Sequence, residues 1–250
     1  MITLSYREHS SMATYGTQMK EKSTTHTPIG RNSMYKRKED GVIFPWLQKH
    51  LHPQETVVDI GARKAGWYKH VAQFFPHAPA KLFEPTPNIV DFLKRKYRSN
   101  KNVEIFPIAL SNTTGEIDFH IDLKRGGWSG LQRQFDHDHY DTITVEVRTL
   151  DSFNFQDVQL IKIDVEGNEL NTLEGSKETI IDSRPLVYFE CADVHLKSYD
   201  YNASDLFNFF TKLDYSVLDL DFKKLSVEDF CAHSASDPSF YHNFLARYDY

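Results

Sequence analysis

Four acidic positions, each at or just past the end of a short apolar run, are the features of this 250-residue sequence best suited to chemistry. The first closes the run Thr56-Val57-Val58-Asp59-Ile60 and leads into Gly61-Ala62-Arg63-Lys64-Ala65-Gly66. A strand, a small-residue turn and then a helix let backbone N–H groups approach a ligand closely. Gly61 would make that approach and Asp59 would orient the turn. Glu84 closes the next apolar run, Ala80-Lys81-Leu82-Phe83. An acid about 20 residues past a glycine turn is placed to bind both hydroxyls of a ribose. The pair suits any adenosine-containing cofactor, NAD included. The turn lacks the Gly-x-Gly-x-x-Gly pattern of a dinucleotide pyrophosphate site, which leans against NAD.

The third position is Asp164-Val165-Glu166-Gly167-Asn168-Glu169, after Leu160-Ile161-Lys162-Ile163. Asp164, at the strand end, should point over the sheet edge, where a carboxylate favours a nearby sulfonium and can accept a proton from an alcohol. Glu166 and Glu169 stand at a helix start, where negative charge also suits the helix dipole. The fourth is Glu190, followed five residues on by His195, a candidate base with a pKa near neutrality. Gly126-Gly127-Trp128-Ser129-Gly130 reads either as a mobile lid with Trp128 as a sugar-stacking platform or as an ordinary hairpin loop. Asp136-His137-Asp138-His139-Tyr140-Asp141 has a metal-binding composition without a fixed ligand spacing and reads as a solvated loop. No metal ligands are assigned from the sequence; a divalent metal at Asp164 and Glu190, activating a hydroxyl, is the less favoured variant.

The elements that must hold these residues alternate strand and helix. Expected strands cover 56–60, 80–84, 103–110, 160–165 and 185–191, with helices over 66–75, 87–98, 168–181 and 203–213. Thr86 is placed to cap the second of those helices and Pro87 suits its first position. Residues 115–123 and 142–150 alternate apolar and polar, the period of half-exposed antiparallel strands, and read as a β insertion over one end of the sheet. Residues 215–220 and 241–247 could form a closing pair. Repeated strand–helix units imply a mostly parallel sheet covered on both faces, with ligands beyond the carboxyl ends of its strands. Residues 1–40, rich in Ser, Thr, Lys and Met, read as a flexible arm before a single domain over 41–250.

Composition narrows the partners. A net charge of −6 and pI near 6.0 provide no basic field for a phosphate backbone, so no nucleic acid is expected. Cys191 and Cys231 form neither a metal knuckle nor a disulfide framework and read as reduced thiols. No secretory signal or membrane-length apolar segment is evident, and a cytoplasmic location is expected.

Taken together, several runs resemble the FkbM-type methyltransferase family. They are Val57 to Ala62 with Gly66-Trp67-Tyr68, Phe83 to Pro87, Ala109-Leu110-Ser111, Arg148 to Phe153, Ile161 to Glu169, Leu173-Glu174-Gly175, and Arg184-Pro185 through Glu190. The resemblance covers about residues 55 to 192. It implies a class I methyltransferase Rossmann-like fold, S-adenosylmethionine as cofactor, and O-methylation of a hydroxyl on a small-molecule acceptor, often a sugar or a polyketide-like product. On that basis Asp59, Gly61, Ala62, Glu84, Pro85, Ala109 and Asp164 belong to the cofactor site, and Asp164, Glu190 and His195 are the catalytic candidates. The family usually has Asn after its Gly-Ala and a glycine two positions later; here Arg63-Lys64-Ala65-Gly66 is one residue longer. Two alternatives stay open: an NAD-dependent oxidoreductase or epimerase, and a degenerate cofactor fold serving as an interaction module.

Overall fold

In a computed structural model, residues 42–124, 127–134, 138–236 and 242–249 are described. The expected arm at 1–40 lies outside them, as do residues 126, 136 and 137 of the two loop motifs. In chain order the elements are α1 (Phe44–His50), β1 (Thr56–Ile60), α2 (Gly66–Phe74), β2 (Ala80–Phe83), α3 (Pro87–Tyr97), β3 (Val103–Phe106), β4 (Ala109–Leu110), β5 (Gly115–Asp122) and β6 (Tyr140–Arg148). A short 3₁₀ turn at Asp151–Phe153 leads to β7 (Val158–Ile163), α4 (Glu169–Glu174), α5 (Lys177–Ser183), β8 (Leu186–Glu190), α6 (Asp193–Leu196), α7 (Ala203–Thr211), β9 (Tyr215–Leu218), α8 (Val227–Ser234) and β10 (Asn243–Tyr248).

The seven-stranded sheet runs β3-β2-β1-β7-β8-β10-β9, parallel except for β10, which is antiparallel to both neighbours. From β1 the chain builds outward through β2 and β3, then returns to add β7 and β8 on the other side. The carboxyl ends of β1 and β7 therefore flank the switch in strand order, where such sheets bind ligands.

Strand parity decides what each face buries. Every residue of β1 and β7 is buried, as befits strands covered on both sides. Val58, Ile60, Ile161, Ile163, Val187 and Phe189 face the layer containing Leu173, Ile180, Leu206, Phe210 and Phe230. Val57, Leu160, Leu186 and Tyr188 face the layer containing Phe44, Leu47, Val71 and Phe75. The ring centroids of Phe230 and Phe244 lie 4.5 Å apart edge to face, and those of Phe189 and Phe210 4.8 Å apart. Each such ring contributes about 1.5–3 kcal/mol by leaving water.

The second sheet, β4-β6-β5, is the expected insertion. Strands β5 and β6 pair antiparallel from Gly115↔Val147 to Asp122↔Tyr140, burying Phe119, Val145 and Val147 with Leu131. Elsewhere boundaries differ from expectation for local reasons. The single strand expected over 103–110 divides at Pro107, which has no N–H to give a ladder, and its halves join different sheets. The helix expected over 168–181 divides at Gly175-Ser176. Its second half has its own cap: the Asp151 carboxylate accepts the Glu178 and Thr179 N–H groups at 3.1 and 2.9 Å. Thr86 occupies the N-cap of α3 but makes no side-chain cap bond. Helices α6 and α8 were not anticipated.

The break at Gly175 brings the backbone of α4 against the start of the insertion. A Cβ there would stand 2.0 Å from the Ser111 carbonyl oxygen, a clash with backbone that cannot rotate away. Gly175→Ala is expected to destabilise the fold by about 1–3 kcal/mol, read from urea denaturation. An unchanged midpoint would show that the two segments separate freely.

Candidate functional site

The turn after β1 is built on left-handed backbone. Gly61 has φ +73°, and a Cβ on it would fall 1.9 Å from the Asp164 carbonyl oxygen. Only hydrogen fits, because β1 and β7 leave the sheet edge in contact here. Gly61 and Ala62 donate N–H bonds to the Phe83 carbonyl at 3.1 and 2.9 Å, which ties the turn to the end of β2. Arg63 (φ 50°) and Ala65 (φ 51°) are also left-handed. The Arg63 N–H reaches one oxygen of Glu84 at 2.9 Å, and the Thr86 N–H reaches the other at 2.8 Å. Burial pushes the Glu84 pKa up, opposed by the bonds from Thr86 and Arg63.

Asp59 takes a different place from the expected one. Its side chain is fully buried on the Val57 face of β1, beneath the turn, and does not reach the cavity. Its partner is Lys162, directly across on β7. The Lys162 ammonium lies 3.4 Å from Asp59 Oδ1 and 3.2 Å from Asp164 Oδ2, and donates to the Gly61 carbonyl at 3.0 Å. Burial pulls the lysine pKa down, but Asp164 and Asp59 outweigh it and the net shift is upward. Lys162 is the residue that sequence reasoning overlooked. Its signal was a charge inside an otherwise apolar strand that is buried on both faces.

Beyond β7 the chain turns sharply. Glu169 is 1% exposed, and one of its carboxylate oxygens accepts the N–H groups of Val165 and Gly167 at 3.0 and 3.2 Å. It clamps the turn rather than facing a ligand, and burial, then Glu190, push its pKa up to about 7. Glu166, left-handed at φ 56°, meets His195 across the turn, with Oε2 3.2 Å from Nδ1. Glu190 Oε2, from the end of β8, lies 3.4 Å from the same nitrogen. Burial, then Glu190, raise the Glu166 pKa; burial, then Asp164, raise that of Glu190. Burial would lower the imidazole pKa, but the carboxylates, Glu190 foremost, turn the shift upward.

These residues border a cavity of about 500 Å³ outside the carboxyl ends of β1, β2, β7 and β8. Of the expected cofactor set, Gly61, Ala62, Glu84, Pro85, Ala109 and Asp164 line it. Asp59 reaches it only through Lys162, which does line it. Of the catalytic candidates, Asp164 and Glu190 line the cavity; His195 does not, and stands behind Glu190 and Glu166. Gly127, Ser129 and Leu131 bring the insertion loop onto the same cavity, and the Gln134 side-chain amide donates to the Glu166 carbonyl at 2.6 Å. Of the two readings of the Gly-rich loop, the one with Trp128 as a platform gains no support. Its ring meets His195 edge to face at 5.1 Å and lies off the cavity wall.

Removing the ammonium while leaving Asp59 buried should be costly. Lys162→Met is expected to lose about 3–5 kcal/mol in urea denaturation, and adding Asp59→Asn should recover about half of that loss. A single variant as stable as the parent would mean that the pair does not hold the strand ends together.

Residues 59–217, well over half of the chain, match the methyltransferase FkbM domain. Over 161 residues the chain is 29% identical to the 2-O-methyltransferase NoeI of Sinorhizobium fredii (strain NBRC 101917 / NGR234). That alignment spans 58% of this chain and 66% of NoeI, just under two thirds of its length. The crystal structure of Methyltransferase FkbM from Methylobacillus flagellatus KT superposes with a TM-score of 0.50 at 17% identity, covering 80% of this chain and 45% of that one. The shared architecture is the class I methyltransferase sheet, and the chain belongs to the FkbM methyltransferase family.

Proposed function

We propose that the chain binds S-adenosylmethionine in the 500 Å³ cavity and transfers its methyl group to a hydroxyl oxygen of a small-molecule acceptor, with a sugar as the acceptor class. The observation that carries this reading is the fixed Glu84 carboxylate at the end of β2, facing the cavity across the switch point from Asp164. The volume lies within the usual range for small-molecule sites.

The residues fit the cofactor at both ends. Each Glu84 oxygen accepts one backbone N–H and keeps further acceptor capacity, which suits the two hydroxyls of a ribose. Phe83, Ile89 and Ile108 supply apolar wall for a base. The lengthened Arg63–Gly66 turn does not disable this end, since the Arg63 N–H is itself one of the two that hold Glu84. At the other end Asp164 and Glu190 offer negative charge to a sulfonium. When bound, the cofactor supplies an electrophilic methyl group. The protein's part is to align the acceptor oxygen with it, exclude water, and remove the hydroxyl proton.

Asp164 is the group assigned to that proton. Its carboxylate lines the cavity, its side chain is 39% exposed, and Lys162 fixes its orientation. Within this reading, the 2-O position in the name of NoeI supports oxygen as the acceptor atom.

Calorimetric titration of the purified protein with S-adenosylmethionine, its demethylated product and NAD tests the first half. Saturable binding of the first two without NAD is expected; binding of NAD alone, or of none, would overturn it. Glu84→Ala should weaken S-adenosylmethionine binding by about tenfold or more. In a product-release assay over a panel of hydroxylated sugars, Asp164→Asn should lower kcat by about 100-fold or more while cofactor binding, though weakened, stays measurable. Near-normal turnover would remove Asp164 from the chemistry.

A further inference from the structure

We propose that Glu166, Glu190 and His195 form a site for one divalent cation at the acceptor end of the cavity. The cation would be of the kind that takes mixed nitrogen and oxygen ligands, such as Mn²⁺ or Zn²⁺. One ligand atom from each residue lies within 4.8 Å of the other two. His195 Nδ1 is 3.2 Å from Glu166 Oε2 and 3.4 Å from Glu190 Oε2. Ligands about 2.1 Å from a shared cation stand about 3.0 Å apart at octahedral angles and about 3.4 Å apart at tetrahedral ones. Both observed separations fall in that span.

A second observation concerns the atoms themselves. Glu166 Oε2, Glu190 Oε2 and His195 Nδ1 are buried, yet none has a hydrogen-bond partner among the described residues. His195 Nδ1 has at most one proton for the two carboxylate oxygens beside it, so the contacts to Glu190 and Glu166 cannot both be hydrogen bonds. The histidine side chain is only 8% exposed, so water does not satisfy it in bulk. Buried polar atoms left in this state cost free energy unless something joins them.

Charge points the same way. Lys162 is engaged by Asp59 and Asp164, so among the described residues Glu166, Glu190 and the clamping Glu169 are left with the His195 imidazole and no second ammonium. The nearby titratable groups from the other packed elements are Tyr199, Tyr201 and Cys191, which bring no positive charge, and His242, whose imidazole burial pushes toward the neutral form. A divalent ion would balance the carboxylates. Because Glu166 and Glu190 line the cavity while His195 stands behind them, the remaining coordination positions would open toward the cavity. None of these three is assigned the proton; of the two carboxylates offered to the sulfonium, Glu190 would ligate the cation and Asp164 would remain for the sulfonium. The catalytic consequence rests on the methyltransferase reading. The cation would lower the pKa of an acceptor hydroxyl; its proton passes to Asp164, its oxygen bonds to the methyl carbon, and the carbon–sulfur bond breaks to leave a neutral thioether.

The test uses Mn²⁺ alone, with no cofactor, on the full chain stripped with EDTA. Loss of the free-ion electron paramagnetic resonance signal should report one bound Mn²⁺ per chain, and Mn²⁺ or Zn²⁺ should raise the thermal midpoint. His195→Ala and Glu190→Gln should each weaken binding by about tenfold or more and abolish the midpoint rise. Glu166→Gln, measured without metal, should fold about as stably as the parent because the amide keeps the shape of a carboxyl that burial and Glu190 already hold against ionisation, and should also lose the ion. Binding that persists unchanged in all three variants, or no binding by the parent, would overturn the proposal. Titration of S-adenosylmethionine in EDTA reports on the methyltransferase reading separately.

Discussion

The site depends on one buried ammonium. Lys162 sits where an apolar residue would otherwise continue β7, and it joins three groups that have little reason to stay together: the Asp59 carboxylate under the turn, the Asp164 carboxylate above it, and the Gly61 carbonyl between them. A lysine buried alone would give up its proton, and two carboxylates this close would repel. Each makes the other's charge tolerable. The arrangement fixes the separation of the β1 and β7 ends, which in turn allows Gly61 to abut the Asp164 backbone so closely that no Cβ fits. The cavity opens directly over that contact.

The convergence of acids follows from topology. In a parallel sheet all carboxyl ends lie on one edge, so residues ending successive strands become neighbours although they are far apart in sequence. Glu84 and Asp164 directly follow β2 and β7, Glu190 ends β8, and the three share one cavity for that reason. Their environments then separate them. Glu84 is held by two backbone N–H groups, Asp164 by a lysine, and Glu190 by an imidazole shared with Glu166. Three carboxylates of similar intrinsic chemistry thus face the cavity with different partners, which is the condition for giving them different tasks.

Much of this was legible in the sequence, because burial on two faces leaves β1 and β7 as unbroken apolar runs and the residue after such a run must stand at the edge. Gly61, Glu84, Asp164 and Glu190 were found that way. Asp59 was misplaced because it was read by distance to the turn rather than by parity: it shares the Val57 face, opposite Ile60, and so points into a helix layer. The same parity would have paired it with Lys162. His195 could not be positioned from sequence, since the short α6 that carries it has no periodic signal and its neighbours Glu166, Glu190 and Trp128 come from three other segments. The divided helix was hidden for a similar reason. Its second cap, Asp151, lies 27 residues away from the N–H group of Glu178 that it accepts.

The longer turn after β1 shows how a departure from a family pattern can be absorbed. An extra residue must be accommodated without moving the strand ends, which the Lys162 contacts and the Gly61 approach do not permit. The chain does so by placing Arg63 and Ala65 in left-handed backbone, at a cost of about 1–2 kcal/mol for each non-glycine residue. That conformation aims the Arg63 N–H inward at Glu84, so part of the cost is offset by a charge-assisted hydrogen bond. The Arg63 guanidinium then meets the insertion loop, standing within 2.7 Å of where a Gly127 Cβ would be. On the proposed reading the added residue does not loosen the cofactor end of the cavity. It couples that end to the insertion loop on the other side of the same cavity, two parts that a shorter turn would leave independent.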